Sequence, residues 1–218
     1  MAPTGLVERD ARGDRRGPPP PERGDGWGGS PVPRRAPLDN ARLGLLIFLG
    51  AETMFFSALI GGYLVLRVAS AVWPPPLQPR LPVLVTGLNT LCLLASSVPM
   101  AIATRALWRG DIGRVVRGFA ASAALGGVFL LVQGYEWVRL VHFGLTVSSG
   151  SYGSTFYTLI GTHALHVVGA LVWVGVTLWG LRSGRFGLSR PMPVAVCAMY
   201  WHYVVALWPV LYVLVYLA

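Results

Sequence analysis

Charge is what this chain has least of. Asp, Glu, Lys and Arg together make up 12% of its 218 residues, where a soluble domain carries about 25%. Lysine is missing altogether, so all 18 basic residues are arginine. A soluble globule of this length needs ionised groups to cover its surface, and the shortage excludes one. Cysteine is scarce as well. Cys92 and Cys197 fall in apolar runs and form no CxxC pair. They read as small buried hydrophobes, not as a disulfide or metal site. No nucleophile elbow, phosphate loop or HExxH motif occurs in the sequence. The first 40 residues hold no apolar run of the kind that marks a secretory leader, and none is expected.

What is abundant is apolar. Hydrophobic residues make up 54% of the chain, and the mean hydropathy is +0.56. The net charge of +9 invites a nucleic-acid reading. The arginines, however, lie in a tail and in short connections between apolar stretches, which is a pattern of membrane topology. No nucleic-acid partner is expected. Residues 1–40 contain eight prolines and seven glycines, as in Gly17-Pro18-Pro19-Pro20-Pro21. Such a segment buries too little apolar surface to offset its ordering entropy. It reads as a disordered cytoplasmic tail before a transmembrane domain at 41–218.

A bilayer core of about 30 Å needs roughly 20 apolar residues of helix. Five stretches qualify: Leu43 to Leu66, Pro82 to Leu107, Gly118 to Leu140, Tyr152 to Leu181 and Met192 to Leu217. A stiff loop, Trp73-Pro74-Pro75-Pro76, precedes the second. Lipid offers no hydrogen bonds, so a spanning backbone must be helix or closed barrel. These runs are too long and too uniformly apolar for barrel strands of about 10 residues. The expected fold is all-α, a polytopic bundle of five transmembrane helices. Fifteen of the eighteen arginines lie in the tail or in the second-to-third and fourth-to-fifth connections. The positive-inside rule then places the N-terminus in the cytoplasm and the C-terminus outside.

Few ionisable groups reach membrane depth, and each is a functional candidate for that reason. Glu52 lies in the first span, about nine residues from its start and hence ~14 Å deep. His163 and His166 lie in the fourth span and His202 in the fifth, at similar depths. They allow a polar midplane cluster joining three helices, or separate partners for each. Glu52 is a candidate proton-linked carboxyl, or equally a structural hydrogen-bond donor between helices. His163-x-x-His166 puts two imidazoles on nearly one helix face. With His202 they could ligate a metal or haem, but no thiolate or carboxylate stands beside them at ligand spacing, and no metal site is expected. Glu136 and Arg139, three apart at the outer end of the third span, read as an interfacial pair. Asn89, Thr90, Ser96 and Ser97 read as hydrogen-bonding residues between helices, and Ser57, Gly61, Gly62, Gly126, Gly127, Gly161 and Gly169 as points of close approach. Trp73, Trp108, Trp201 and Trp208 divide between interfacial anchors and packing. A bundle with one buried carboxyl, a few histidines and no evident reaction centre suits an accessory membrane subunit better than a stand-alone enzyme.

Five ordered segments resemble a known family. Glu52-Thr53-Met54-Phe55-Phe56 is similar to its SExMFF segment, and Leu88-Asn89-Thr90 with Ser96-Ser97 to LNTxxLLxSS. Gln133-Gly134-Tyr135-Glu136 resembles QxYE. Tyr152-Gly153-Ser154-Thr155-Phe156-Tyr157 with Gly161-Thr162-His163-Ala164-Leu165-His166-Val167-Val168-Gly169 resembles YGSTFY…TGxHGLHVxxG. Tyr200-Trp201-His202-Tyr203-Val204 resembles YWHFV. These are marks of subunit III of cytochrome c oxidase, in its five-helix bacterial form, over residues 42–217. The resemblance implies a non-catalytic core subunit of a haem–copper terminal oxidase in the aerobic respiratory chain. Its partners would be subunits I (the main contact) and II, which hold the haems and copper, with cytochrome c met only indirectly. It would bind structural phospholipid, support proton uptake and sit in the bacterial plasma (inner) membrane. The family's carbodiimide-reactive glutamate maps onto Glu52. Val205 stands where the family often has Asp, so any role resting on that Asp is absent. A quinol oxidase subunit III and an accessory subunit of a nitric oxide reductase are the alternatives within the family. Two readings lie outside it. A small proton channel or transporter built around Glu52 predicts an internal repeat or a broken midplane helix, and neither is evident. An independent haem-b protein would use His163, His166 or His202.

Overall fold

Because lipid satisfies no backbone group, the apolar runs have only one open-chain solution, and they take it. The computed structural model describes residues 39–73, 75 and 81–217. The tail expected over 1–40 lies outside them except for Asp39 and Asn40, as do Pro74, Pro76 and Arg80. The helices are α1 (Asn40–Ala69), α2 (Val83–Ala95), α3 (Ser97–Trp108), α4 (Ile112–His142), α5 (Gly150–Arg182) and α6 (Met192–Tyr212), the last continuing as a π-helical turn, Val213–Leu217. With α2 and α3 taken together, five helical stretches are long and apolar enough to cross a membrane. The described residues contain no strand, only a single isolated bridge between Gly187 and Arg190.

The helices overrun the apolar stretches at most ends. Asp111 explains one case: its side chain accepts the Arg114 N–H at 2.9 Å, so α4 starts several residues before the first apolar run. Gly110 (φ 82°) and Gly144 (φ 91°) close α3 and α4 in the left-handed conformation. In each the backbone N–H groups just past the helix return to its last carbonyls, Asp111 to Ala106 at 3.0 Å and Leu145 to Leu140 at 2.9 Å, the Schellman arrangement.

The second span is not one helix. It breaks at Ser96, where the backbone N–H is shared between the Cys92 and Leu93 carbonyls at 3.2 and 3.1 Å. Pro99 is the physical cause: it has no N–H for the Ala95 carbonyl, and its ring crowds that carbonyl. This corrects the expectation of an unbroken midplane. The break is fully buried, with Ser96 at 0% exposure, so it lines no channel.

α6 is the central staff of the bundle. Of its apolar window 61% is buried, against 11% for α1. Two of its tryptophans are pinned by the polar residues of the second span. Trp208 donates Nε1–H to Thr90 Oγ1 at 2.8 Å, and Trp201 to Ser96 Oγ at 3.2 Å. Ser122 of α4 donates to the Ser96 carbonyl at 2.9 Å, and Asn89 to the Phe129 carbonyl at 3.0 Å. Each such bond between membrane helices contributes about 0.6 kcal/mol on average, and here they meet at one core. Trp73 and Trp108 stand at span ends instead. Trp73 packs edge-on between Tyr63 and Tyr152, at 5.8 and 5.1 Å, and Arg42 lies over Trp108 at 5.6 Å.

Close approach occurs at fewer glycines than the sequence suggests. Gly126 faces Trp201, and a Cβ there would stand 2.5 Å from its ring; Gly161 lies beside Trp137. At Gly61, Gly62, Gly127 and Gly169 an added Cβ would have nothing within 4 Å, so within this chain they are not packing contacts. A tight backbone approach joins α3 and α4 at Gly118, where a Cβ would meet the Pro99 carbonyl and Ala103 Cβ, both at 2.6 Å. Gly118→Ala is therefore expected to lower stability by about 1–3 kcal/mol, while Gly127→Ala, in open space inside α4, should hold it or raise it slightly. Thermal unfolding of the two purified variants in detergent makes the comparison, and equal melting temperatures would contradict this packing.

Candidate functional site

Glu52 lies near the middle of α1 and His166 near the middle of α5. Helix α1 reaches α5 along one side of the bundle, and the two side chains meet there. Glu52 Oε2 stands 2.8 Å from His166 Nε2, and the other ring nitrogen, Nδ1, is 2.8 Å from the Thr162 carbonyl. Both side chains are 17% exposed, so the pair sits at the edge of the bundle and not in its core. Phe56 packs edge-on against the imidazole at 5.0 Å, and Phe55 covers it at 6.5 Å.

The tautomer follows from the partners. A carbonyl oxygen only accepts, so Nδ1 must carry a proton and donate it to Thr162. One proton then remains to be placed between Nε2 and Oε2. It resides on the carboxyl, which donates to a neutral ring, or on the ring, which donates to a carboxylate. Both states have zero net charge and keep both hydrogen bonds. The geometry thus allows that one proton either position, with the carbonyl fixing the ring so that Nε2 faces Glu52.

The other candidates lie apart. His163 is fully buried and stacks on Trp208 at 5.0 Å, with Phe56 edge-on at 6.5 Å. No described residue hydrogen-bonds either of its ring nitrogens. His202 is half-buried on α6, and no hydrogen bond among the described residues joins it to Glu52, His163 or His166. The neighbouring Tyr203 makes the α6 connection to α1: its hydroxyl lies 3.2 Å from Thr53 Oγ1. One residue pair, not a three-helix cluster, is what the geometry brings together. No three His, Cys, Asp or Glu side chains among the described residues stand close enough to share a metal ion.

At the far end of α4, Arg139 Nη1 lies 3.2 Å from Glu136 Oε1, the arginine 47% and the glutamate 5% exposed. Arg139 also covers Tyr135 at 5.9 Å. Beside Glu136 on the same helix face, Gln133 donates to the Tyr216 hydroxyl at 3.3 Å. A further polar contact has little signature in the sequence. Tyr63 and Arg67 of α1 both donate to the Leu214 carbonyl, at 3.1 and 3.3 Å. That carbonyl lies in the last described turn, Val213–Leu217. The only hint in the sequence is the i, i+4 spacing of Tyr63 and Arg67.

The family model described as cytochrome c oxidase subunit III matches residues 35–218. The chain belongs to the cytochrome c oxidase subunit III family. It is 36% identical over 180 residues to cytochrome c oxidase subunit 3 of Synechocystis, a match covering 82% of this chain and 76% of the relative. It is 35% identical over 178 residues to the probable cytochrome c oxidase subunit 3 of Nocardia farcinica, covering 80% and 86%. With cytochrome c oxidase subunit 3 of Bacillus subtilis it shares 33% identity over 181 residues, covering 82% and 86%. Membership makes this a multi-pass membrane protein of a respiratory oxidase family, with other oxidase subunits as its partners.

The pair's architecture sets an order among variants. Glu52→Gln keeps an N–H donor for a neutral Nε2 and should cost little stability. His166→Phe leaves the Glu52 carboxyl without its partner and should cost about 1–3 kcal/mol. Thermal inactivation of the purified protein ranks the two, and a Glu52→Gln variant at least as labile as His166→Phe would contradict the hydrogen-bond assignment.

Proposed function

We propose that this chain is the non-catalytic subunit III of a haem–copper cytochrome c oxidase in a bacterial plasma membrane. The observation that supports the reading is the 2.8 Å Glu52–His166 contact, which involves the carboxyl at the family's reactive position, near mid-span and partly open at the bundle edge. In this reading the pair supports proton uptake by the catalytic subunit. A carboxyl and an imidazole share one proton, which can shift from one to the other without breaking the contact; taking it up or giving it away makes or breaks their hydrogen bond. The dioxygen chemistry belongs to subunit I, the main contact, with subunit II alongside and cytochrome c delivering electrons to the complex and not to this chain. The haems and copper are held by those partners.

Structural phospholipid is part of the proposal. Two grooves flank α1. One of about 210 Å³, against α5, is lined by residues that include Leu59, Tyr63, Leu66 and Leu159. The other, of about 310 Å³ and against α6, is lined by Phe56, Ile60, Leu207 and Val210 among others. Their apolar walls and α1's sparse packing suit acyl chains. The arginine distribution supports an N-terminus in the cytoplasm.

Mild-detergent purification through a tag on this chain tests the reading. Co-isolation of chains bearing haem and a dicopper centre is expected. Partners without dicopper would point to a quinol oxidase, and a nitric oxide reductase partner to the other family setting. A stoichiometric Soret band from the isolated polypeptide would overturn the non-catalytic assignment. In the assembled complex, Glu52→Gln should leave oxygen consumption within a few fold of wild type, since the reaction centre lies in another subunit. Complete loss of oxygen consumption with assembly intact would refute that role.

A further inference from the structure

Arg105 and Arg109 close the last turns of α3, and Arg114 opens α4 across the tight Gly110 turn. With Ile102 and Ala106 they line a cavity of about 200 Å³. Three guanidiniums round one pocket repel each other unless an anion lies among them. Arg114 already has one, since its Nε is 3.2 Å from Asp111 Oδ2. No acidic residue among the described ones pairs with Arg105 or Arg109.

The face below these arginines is an exposed apolar track. Leu91 and Leu94 of α2 and Val98, Ile102, Arg105 and Arg109 of α3 and its cap follow at steps of three and four, and the stripe carries across the break because Ser96 keeps helical dihedrals (φ −61°, ψ −22°). Leu91 is 61% exposed, Leu94 38%, Val98 59% and Ile102 50%. From Leu91 to Ile102 the track rises about 16 Å, close to the roughly 15 Å of one bilayer leaflet's hydrocarbon. Guanidinium suits phosphate oxygens because its planar fork donates two parallel bonds.

We propose that this stripe holds one anionic phospholipid. Its phosphate lies between Arg105 and Arg109 with Arg114 at the edge, and one acyl chain runs along Ile102, Val98 and Leu94. An acidic protein segment would satisfy the arginines but leave the leaflet-length track unused, and that track favours the lipid. The site is separate from the grooves beside α1 and does not depend on which electron donor the complex uses.

The test uses the assembled complex purified through this chain. Retained phospholipids are counted by native mass spectrometry, and phosphatidylglycerol is titrated back after delipidation while melting is followed. The double variant Arg105→Gln/Arg109→Gln should retain one anionic phospholipid fewer, with stabilisation by phosphatidylglycerol shifted to roughly ten- to thirtyfold higher concentration. Arg105→Lys/Arg109→Lys should recover most of the binding. Arg117→Gln, exposed and outside the pocket, should match wild type. Three results would each overturn the proposal: an unchanged lipid count in the Gln double variant, inorganic phosphate or phosphatidylcholine stabilising wild type as well as phosphatidylglycerol does, and loss of a protein subunit with the lipid count intact.

Discussion

The hydrocarbon core of a bilayer accepts and donates no hydrogen bonds, and nearly every feature of this structure answers to that. It forces the backbone into helices. It also presses side-chain hydroxyls, amides and indoles at membrane depth to find partners inside the bundle, although Thr86 Oγ1 and Trp137 Nε1 find none among the described residues. The answers converge on α6, whose Trp201 and Trp208 bond to Ser96 and Thr90, while Ser122 and Asn89 tie α4 to the second span. The buried break at Ser96 belongs to the same scheme, because the hydroxyl that closes the turn onto the Leu93 carbonyl also receives Trp201.

The five spans and the all-helical class were legible because length and composition decide them. No tertiary contact is needed to see that a run of some twenty apolar residues crosses a bilayer. The rotation of each helix was not legible, because neighbours set it. His163 and His166 sit three residues apart, a separation of about 60° round the helix axis. That angle turns one ring into the core onto Trp208 and the other outward to Glu52. The hydropathy pattern cannot say which ring goes which way, since lipid and core are equally apolar. The kink was readable in principle from Pro99, yet the surrounding apolar run hid it. The glycines misled for a related reason. A small residue permits close contact, but only a neighbour makes it, and α1 has few.

That scarcity gives α1 a character of its own. It is held at its ends by Tyr63 and Arg67 on the Leu214 carbonyl and by Arg42 on Trp108, and at its middle by Thr53 on Tyr203 and Glu52 on His166. Between these points lie the two grooves. A helix attached at a few polar points along otherwise open flanks relies on lipid or on another subunit for the remainder of its packing. The one carboxyl at its centre is therefore placed where the bundle ends and its surroundings begin.

The Glu52–His166 bond also has a place in the order of biosynthesis. Its two residues are 114 apart in sequence. At translation rates of about 5–20 residues per second, the histidine leaves the ribosome roughly 6–23 s after the glutamate. During that interval α1 is already available to the insertion machinery while its carboxyl has no imidazole to bind. The first span must therefore be inserted with its carboxyl unpartnered, and docking of α5 supplies the partner.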